Sequence, residues 1–250
     1  MTKRGLGGAI LKLLGAKDQV GRVVAVHDLT AHYRRVDLKF DSFLATTELS
    51  PTAWVRAWFP SPDGGDQVYQ RAYTVAAVDH QQGILSLEFV LHEPAGPAST
   101  WARRVQVGQE LALTQFGSSK WQLPSPTPQG YLLIGDAAAV PALNSLVRAL
   151  PPTIPTRLLL AAYRSDDQAI PVAAPAETVT WIRPTRPVSL AAAVEEVDWT
   201  GWHAWAAVEG AALRPLRSRL KELGFTRDQL RAQAYWLSGR AMGTTHRPGR

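Results

Sequence analysis

The chain has 250 residues, 46% of them hydrophobic and 8% aromatic, enough to fill one large core or two ordinary ones and too apolar for extended disorder. Lys and Arg number 27 against 21 Asp and Glu, a net charge of +6 that favours anionic partners; the cations are scattered, neither a zinc-finger spacing nor an RNP-type aromatic pattern is present, and nucleic-acid binding is set aside. Zero cysteine removes disulfides, thiolate nucleophiles, cysteine-bound zinc and iron–sulfur clusters, so redox chemistry in this chain must reside on a bound organic cofactor. At the amino end, residues 1–18 place Leu6, Ile10, Leu13 and Leu14 on one face and predict a short amphipathic helix docked on the body. Lys12 interrupts the apolar middle and no A-x-A site follows, unlike a secretory signal. No apolar run approaches the roughly 20 residues that span a bilayer, so stable membrane insertion is not expected.

From Gln19 the pattern changes to strands: Gln19–Leu29, Tyr33–Phe40, Ala53–Pro60, Val68–Val78 and Gly83–His92, the later ones separated by the turn sequences SPDGGD and DHQQG. Val107–Phe116 reads as a sixth strand, and together they predict an antiparallel barrel over residues 19–127 that ends in the proline-rich SSKWQLPSPTPQ. Beyond it the order alternates. Tyr131–Asp136 is a short apolar strand ending in a turn, and Ala138–Leu150 a helix; Thr156–Tyr163 and Thr178–Pro184 are strands. Ser189–Val197 reads as a helix, Gly201–Val208 as a strand and Ala211–Gly224 as a long amphipathic helix. Alternation of this kind predicts a doubly wound parallel-sheet α/β domain over residues 128–250, with a ligand crevice at the strand ends.

Two stretches of the first half carry chemistry. In Arg71-Ala72-Tyr73-Thr74 strand alternation puts Arg71 and Tyr73 on one face and turns Thr74 away, so that an arginine suited to a diphosphate lies beside a ring suited to an isoalloxazine. At Gly96-Pro97-Ala98-Ser99-Thr100-Trp101-Ala102 a proline and small hydroxyl residues open a helix, whose free N–H groups, with the hydroxyls of Ser99 and Thr100, suit a diphosphate; simple helix capping by Ser99 is the alternative.

The barrel with R-x-Y-T, the later G-P-A-S segment and the α/β half resemble the ferredoxin-reductase-like flavoproteins, and among them the siderophore-interacting proteins, a family of FAD-dependent ferric-siderophore reductases. The resemblance runs from about Val20 to Gly239. It implies that Arg71 meets the FAD phosphates and Tyr73 the flavin ring, with Thr74 completing the motif. Glu88-Phe89-Val90-Leu91-His92 is similar to the family's D-F-V-L-H strand and implies Val90 and His92 near the cofactor. The G-P-A-S-x-W-A segment implies Ala98, Ser99, Thr100 and Trp101 at the diphosphate.

In the second half Gly135-Asp136-Ala137-Ala138-Ala139-Val140-Pro141-Ala142 resembles G-D-E-T-A-L-P-A and implies Gly135 and Asp136 at a nicotinamide site. Ala137 and Ala138 remove the acidic and hydroxyl groups of that pattern. In W-A-A-G-E-A the glycine is Val208, which is expected to narrow the crevice. Tyr235-Trp236 resembles the terminal G-Y-W, with Trp236 as an aromatic cover for the flavin; hydrophobic closure of the domain is the alternative. Arg56 and Lys120 stand where the family carries substrate cations, and Arg240 is assigned the third charge because Leu237 occupies a position that is often basic.

The resemblance thus implies a cytoplasmic enzyme that moves electrons from NADPH or NADH through FAD to Fe(III) in a ferric siderophore, releasing the more weakly held Fe(II). No protein side chain is assigned a catalytic or metal-ligating role. Two alternatives stand beside it: a reductase fed by ferredoxin, and a flavin- or siderophore-binding module without turnover. A basic membrane-associated structural protein, resting on the amphipathic start and the net charge, is a third.

Overall fold

A computed structural model describes residues 18–47, 49–114, 121–240 and 242. The helix predicted over residues 1–18 lies outside them except for Asp18, as does Lys120. The chain divides into a barrel unit, Met1–Lys120 with Ala241–Arg250, and an α/β unit, Trp121–Arg240.

Six antiparallel strands close the barrel: β1 (Asp18–Thr30), β2 (Tyr33–Lys39), β3 (Trp54–Pro60), β4 (Val68–Asp79), β5 (Ile84–Val90) and β6 (Glu110–Thr114), in the order β1-β2-β5-β4-β3-β6. Alternation decides what goes inside. Val55, Ala57 and Phe59 of β3 and Leu85, Leu87 and Phe89 of β5 are all fully buried, while their sequence neighbours mostly face the other way. Each large side chain so buried contributes about 1.5–3 kcal/mol. Helix α1 (Pro97–Arg104) packs Ala98, Ala102 and the ring of Trp101 into the same cluster. Its carboxyl end is held by Arg34, which donates to Ala102 O at 2.8 Å and to Arg103 O at 3.0 Å while pairing with Asp28. The strand hairpin β1–β2 therefore fixes the direction in which α1 points.

The α/β unit is a five-stranded sheet in the order β11-β10-β7-β8-β9, every neighbour parallel. Its strands are β7 (Gly130–Asp136), β8 (Thr156–Ala161), β9 (Val179–Ile182), β10 (Trp202–Glu209) and β11 (Leu230–Trp236), and its helices α2 (Val140–Ala149), α3 (Ser189–Ala192) and α4 (Gly210–Glu222). The order reverses between β7 and β10, which makes their carboxyl ends, Asp136 and Glu209, the edge of the crevice expected of such sheets. Gly135 permits the approach of α2: an added Cβ would lie 2.7 Å from Ala139 Cβ and 2.9 Å from Leu143 Cδ1.

Three features depart from the sequence reading. The helix expected over Ser189–Val197 stops after one turn at Ala192, because Val194 N–H turns to Ala191 O and the buried Trp199 indole takes Glu195 O. Val208 lies within β10 in the hydrophobic core, fully buried, so it fills the interior and does not narrow a crevice. The fifth strand, β11, is an element the sequence reading left out; Leu230, Ala232 and Ala234 alternate with Arg231 and Gln233 in its parallel pairing with β10.

Candidate functional site

Antiparallel pairing of β3 with β4 sets Val55 opposite Tyr73, Ala57 opposite Arg71 and Trp58 opposite Gln70. Because directly paired side chains share a face, Arg71 and Tyr73 stand with Val55 and Ala57, whereas Gln70, Ala72 and Thr74 stand with Trp54, Arg56 and Trp58. The Tyr73 ring contacts Phe59 at 5.7 Å and Phe89 at 4.6 Å between centroids, and Trp101 closes on Phe59 and Phe89 at 5.5 and 5.6 Å. Burial pushes the Tyr73 hydroxyl well above its ordinary pKa, so it is a neutral donor at any physiological pH.

Arg71 is half-buried, and among the described residues its guanidinium makes one hydrogen bond, from Nη1 to Gln70 O at 2.7 Å, and meets no carboxylate. Burial lowers its pKa, the neighbouring Tyr73 and Tyr69 raise it, and the group stays charged. A partly desolvated cation without an anion is a site prepared for one.

Helix α1 supplies the second feature. Gly96 is its N-cap, Pro97 occupies the first turn, and no acidic side chain is present there to satisfy the free N–H groups or the positive end of the helix. Space around Gly96 is open to 4 Å from an added Cβ. Ser99 is buried and ties α1 to the exit of β5: its Oγ accepts from His92 N–H at 3.1 Å and lies 3.4 Å from His92 O. It is thus a joint between strand and helix, and it makes no capping bond. Thr100, the next residue, is half-buried and closes the first helical turn with its N–H on Gly96 O at 2.9 Å. His92 is exposed and donates from Nδ1 to Pro94 O at 2.9 Å, Val90 is half-buried at the end of β5, and Thr74 is buried opposite Trp54. These residues suit FAD: a cation that meets no carboxylate among the described residues, a helix start without an acid, and an aromatic ring on the same strand as the cation.

On the opposite face of β3 and β4, Arg56 donates from Nη1 to Gln70 Oε1 at 2.8 Å and lies 5.3 Å over the Trp54 ring. Beside it Trp58 Nε1 donates to Thr114 Oγ1 at 2.8 Å, and that hydroxyl donates to Asp18 at 2.6 Å. Arg240, after β11 in the other unit, is exposed and donates its N–H to Leu237 O at 3.2 Å.

In the α/β unit, Asp136 is buried at the end of β7. Its Oδ1 accepts from Ala138 N–H at 3.0 Å and its Oδ2 from Trp236 Nε1 at 2.8 Å. Burial first, and the charge of Asp167 in addition, push its carboxyl up to about 6 against the pull of those hydrogen bonds. Trp236 also meets the exposed Tyr163 edge-on at 5.6 Å. The structure therefore brings Gly135, Asp136 and Trp236 together, and adds three residues that the sequence reading passed over. Tyr163 has its hydroxyl pKa raised by burial and then by the charges of Asp136 and Glu209. Asp167 accepts from Tyr163 and Arg164 N–H at 2.8 and 2.9 Å, and Glu209 from Ala211 N–H at 2.5 Å and Ser238 N–H at 3.1 Å. Their signal in the sequence was positional: each lies at or just beyond the carboxyl end of a parallel strand. Ala137 is buried in the tight β7–α2 turn that Asp136 closes.

Comparison with known proteins agrees with this layout. The family described as siderophore-interacting FAD-binding domain matches residues 44–119, and the one described as siderophore-interacting protein matches residues 128–239. The chain is 42% identical over 244 residues to the mycobactin import ATP-binding/permease protein IrtA of Mycobacterium tuberculosis, covering 96% of this chain and 28% of that one. It thus spans little more than a quarter of the length of that relative. The ferric vibriobactin reductase ViuB of Vibrio cholerae is 27% identical over 183 residues, 68% of this chain and 65% of ViuB. Among solved structures, a siderophore utilization protein from T. fusca superposes with a TM-score of 0.76 at 27% identity, over 90% of this chain and 95% of that one. A ferredoxin NADP+ reductase from Neisseria gonorrhoeae shares the fold at 12% identity, with a TM-score of 0.65 over 88% of this chain and 99% of its own. With one of the two family descriptions matched on each of its two units, this chain belongs to the siderophore-interacting proteins, on a ferredoxin-reductase-like fold.

Proposed function

We propose that the protein reduces the Fe(III) of a bound ferric siderophore with electrons taken from NADPH or NADH by way of FAD, and that it does so in the cytoplasm. The half-buried Arg71, a guanidinium that meets no carboxylate among the described residues and stands beside Tyr73 in the matched FAD-binding region, carries the reading. Arg71, with the α1 start and Thr100, would hold the FAD diphosphate, and Tyr73, Val90 and His92 would hold the ring system. When bound, FAD supplies a two-electron acceptor that releases electrons singly, the conversion an Fe(III) substrate requires. Arg56 and Lys120 of the barrel unit are assigned positive charge for the chelate's oxygen donors, and Arg240 is the cation assigned on the α/β unit. Support for a ferric chelate as substrate comes from the ViuB relative, and support for a nicotinamide donor from the family's shared fold.

The experiment is an anaerobic titration of the flavin-loaded protein with NADH, NADPH and reduced ferredoxin, then addition of a ferric siderophore with an Fe(II)-trapping dye. Bleaching at 450 nm by a nicotinamide, followed by recovery of colour with Fe(II) appearing, is the expected result. A protein that takes up no FAD, or whose reduced form yields no Fe(II), overturns the proposal.

A second reading, reduction by ferredoxin, is favoured by one observation. At the carboxyl ends of the central strands Asp136, Asp167 and Glu209 form no ion pair among the described residues, and Asp136 is already held by Trp236. This acidic, self-satisfied edge is a poor seat for a phosphorylated dinucleotide. Bleaching by reduced ferredoxin but by neither nicotinamide would establish that reading.

A further inference from the structure

Gln70 stands between the two arginines to which the preceding reading gives work. Its backbone carbonyl accepts from Arg71 Nη1 at 2.7 Å on one face of β4. On the other face its side-chain Oε1 accepts from Arg56 Nη1 at 2.8 Å. The register explains how a single residue reaches both. Arg56 pairs with Ala72, whose methyl group leaves the long arginine side chain room to lean along the sheet toward Gln70, the partner of Trp58. Trp54, two residues before Arg56 and on the same face, takes the plane of the guanidinium at 5.3 Å. Arg56 is therefore gripped by an amide at its edge and by an indole at its face.

An unrestrained arginine loses rotamer entropy when a ligand fixes it, a cost that prior restraint removes. A glutamate in place of Gln70 would restrain the guanidinium equally well but cancel its charge. The uncharged amide fixes the geometry without adding a countercharge.

We propose that Gln70 is the positioning residue for Arg56 in binding the ferric chelate, with Trp54 as the second wall of the clamp. The inference rests on the siderophore reading above. Removing the side chain of Gln70 loosens Arg56 alone, since the contact to Arg71 is made by the backbone and survives substitution.

The test uses the full chain loaded with FAD and reduced chemically, so that the identity of the physiological donor does not enter. Fe(II) release is followed with ferrichrome, an uncharged ferric trihydroxamate, and binding with ferric enterobactin, a trianionic triscatecholate. Gln70→Leu should raise the KM for ferrichrome about five- to tenfold, leave kcat and FAD occupancy unchanged, and add nothing further in an Arg56→Ala background. Gln70→Glu should keep the ferrichrome KM near that of the wild type while weakening enterobactin binding about tenfold, because the acceptor is retained and the charge cancelled. Additive effects of Gln70→Leu and Arg56→Ala, a fall in FAD occupancy matching the loss of activity, or Gln70→Glu as damaged as Gln70→Leu with ferrichrome would each overturn the inference. A flavin-loaded wild type that yields no Fe(II) overturns the siderophore reading and this inference together, whereas a wild type that reduces ferrichrome beside an unaltered Gln70→Leu overturns this inference alone.

Discussion

Arg71 and Asp136 are both partly or wholly removed from water, and they respond to that removal in opposite ways. A guanidinium cannot give up its proton, so Arg71 stays charged and its unmet demand is for an anion. Arg71→Ala should lower FAD affinity about ten- to a hundredfold, the loss of a charge-assisted pair, read as the ratio of flavin to protein absorbance after gel filtration. Full occupancy in that variant would remove the residue from the site. Asp136 can take up a proton, and its carboxyl rises from 3.8 to about 6. The folded state then holds the proton at a pH where the unfolded chain has lost it, so this group favours folding below about pH 4 and the advantage is lost as pH rises to about 6. Asp28 and Asp37 act in the reverse sense. Hydrogen bonding to Arg34 depresses Asp28; burial alone would raise Asp37, but Ser86, Arg35 and the charge of His27 hold it low. Their contributions stand above the ordinary carboxylate range and fade as pH falls through it. The melting temperature of the wild type minus that of Asp136→Asn should therefore fall between about pH 4 and 6 and be flat above; a flat difference throughout would show that Asp136 titrates normally.

At the scale of elements, α1 does two jobs that its sequence does not separate. Ser99 and Thr100 are adjacent hydroxyls, yet Ser99 is used up in joining α1 to the end of β5, while the half-buried Thr100 makes no such joint among the described residues. Ser99→Ala should destabilise the barrel unit by about 1–3 kcal/mol in denaturant unfolding, because the His92 N–H loses its acceptor. Thr100→Ala should change stability by no more than about 0.5 kcal/mol and lower FAD affinity instead. Equal effects of the two changes on both quantities would contradict this division. The packing of α2 on β7 depends in the same way on one atom: Gly135→Ala sets a methyl group against Ala139 and Leu143 and should cost about 1–3 kcal/mol. The strands β1 to β10 and the start of α1 were legible because alternation, continuous apolar runs and Gly-Pro punctuation are local signals. The end of α3 was not, since Trp199, seven residues downstream, competes for the chain by burying its indole.

For the whole molecule, the barrel and α/β units have separate cores, and a ligand that binds only one of them should stabilise that one. FAD at a hundredfold excess over its dissociation constant should add about 2.7 kcal/mol to the unfolding of the barrel unit, and at the same FAD concentration this gain should shrink to about 0.4–1.4 kcal/mol in Arg71→Ala. By itself the sequence determined the kind of fold, because hydrophobic periodicity is a property of neighbours along the chain, and the ordered motifs from Arg71 to Trp236 were enough to mark the family. It also placed Arg71 and Tyr73 on a common face, since that follows from the two-residue period of a strand. Only the tertiary structure decided that Ser99 is a joint, that Val208 fills a core, that Asp136 is held by Trp236 a hundred residues away, and that one glutamine reaches two arginines on opposite faces of β4. Those facts depend on the register between strands and on the reversal of strand order at β7 and β10, which bring together residues that no local pattern relates.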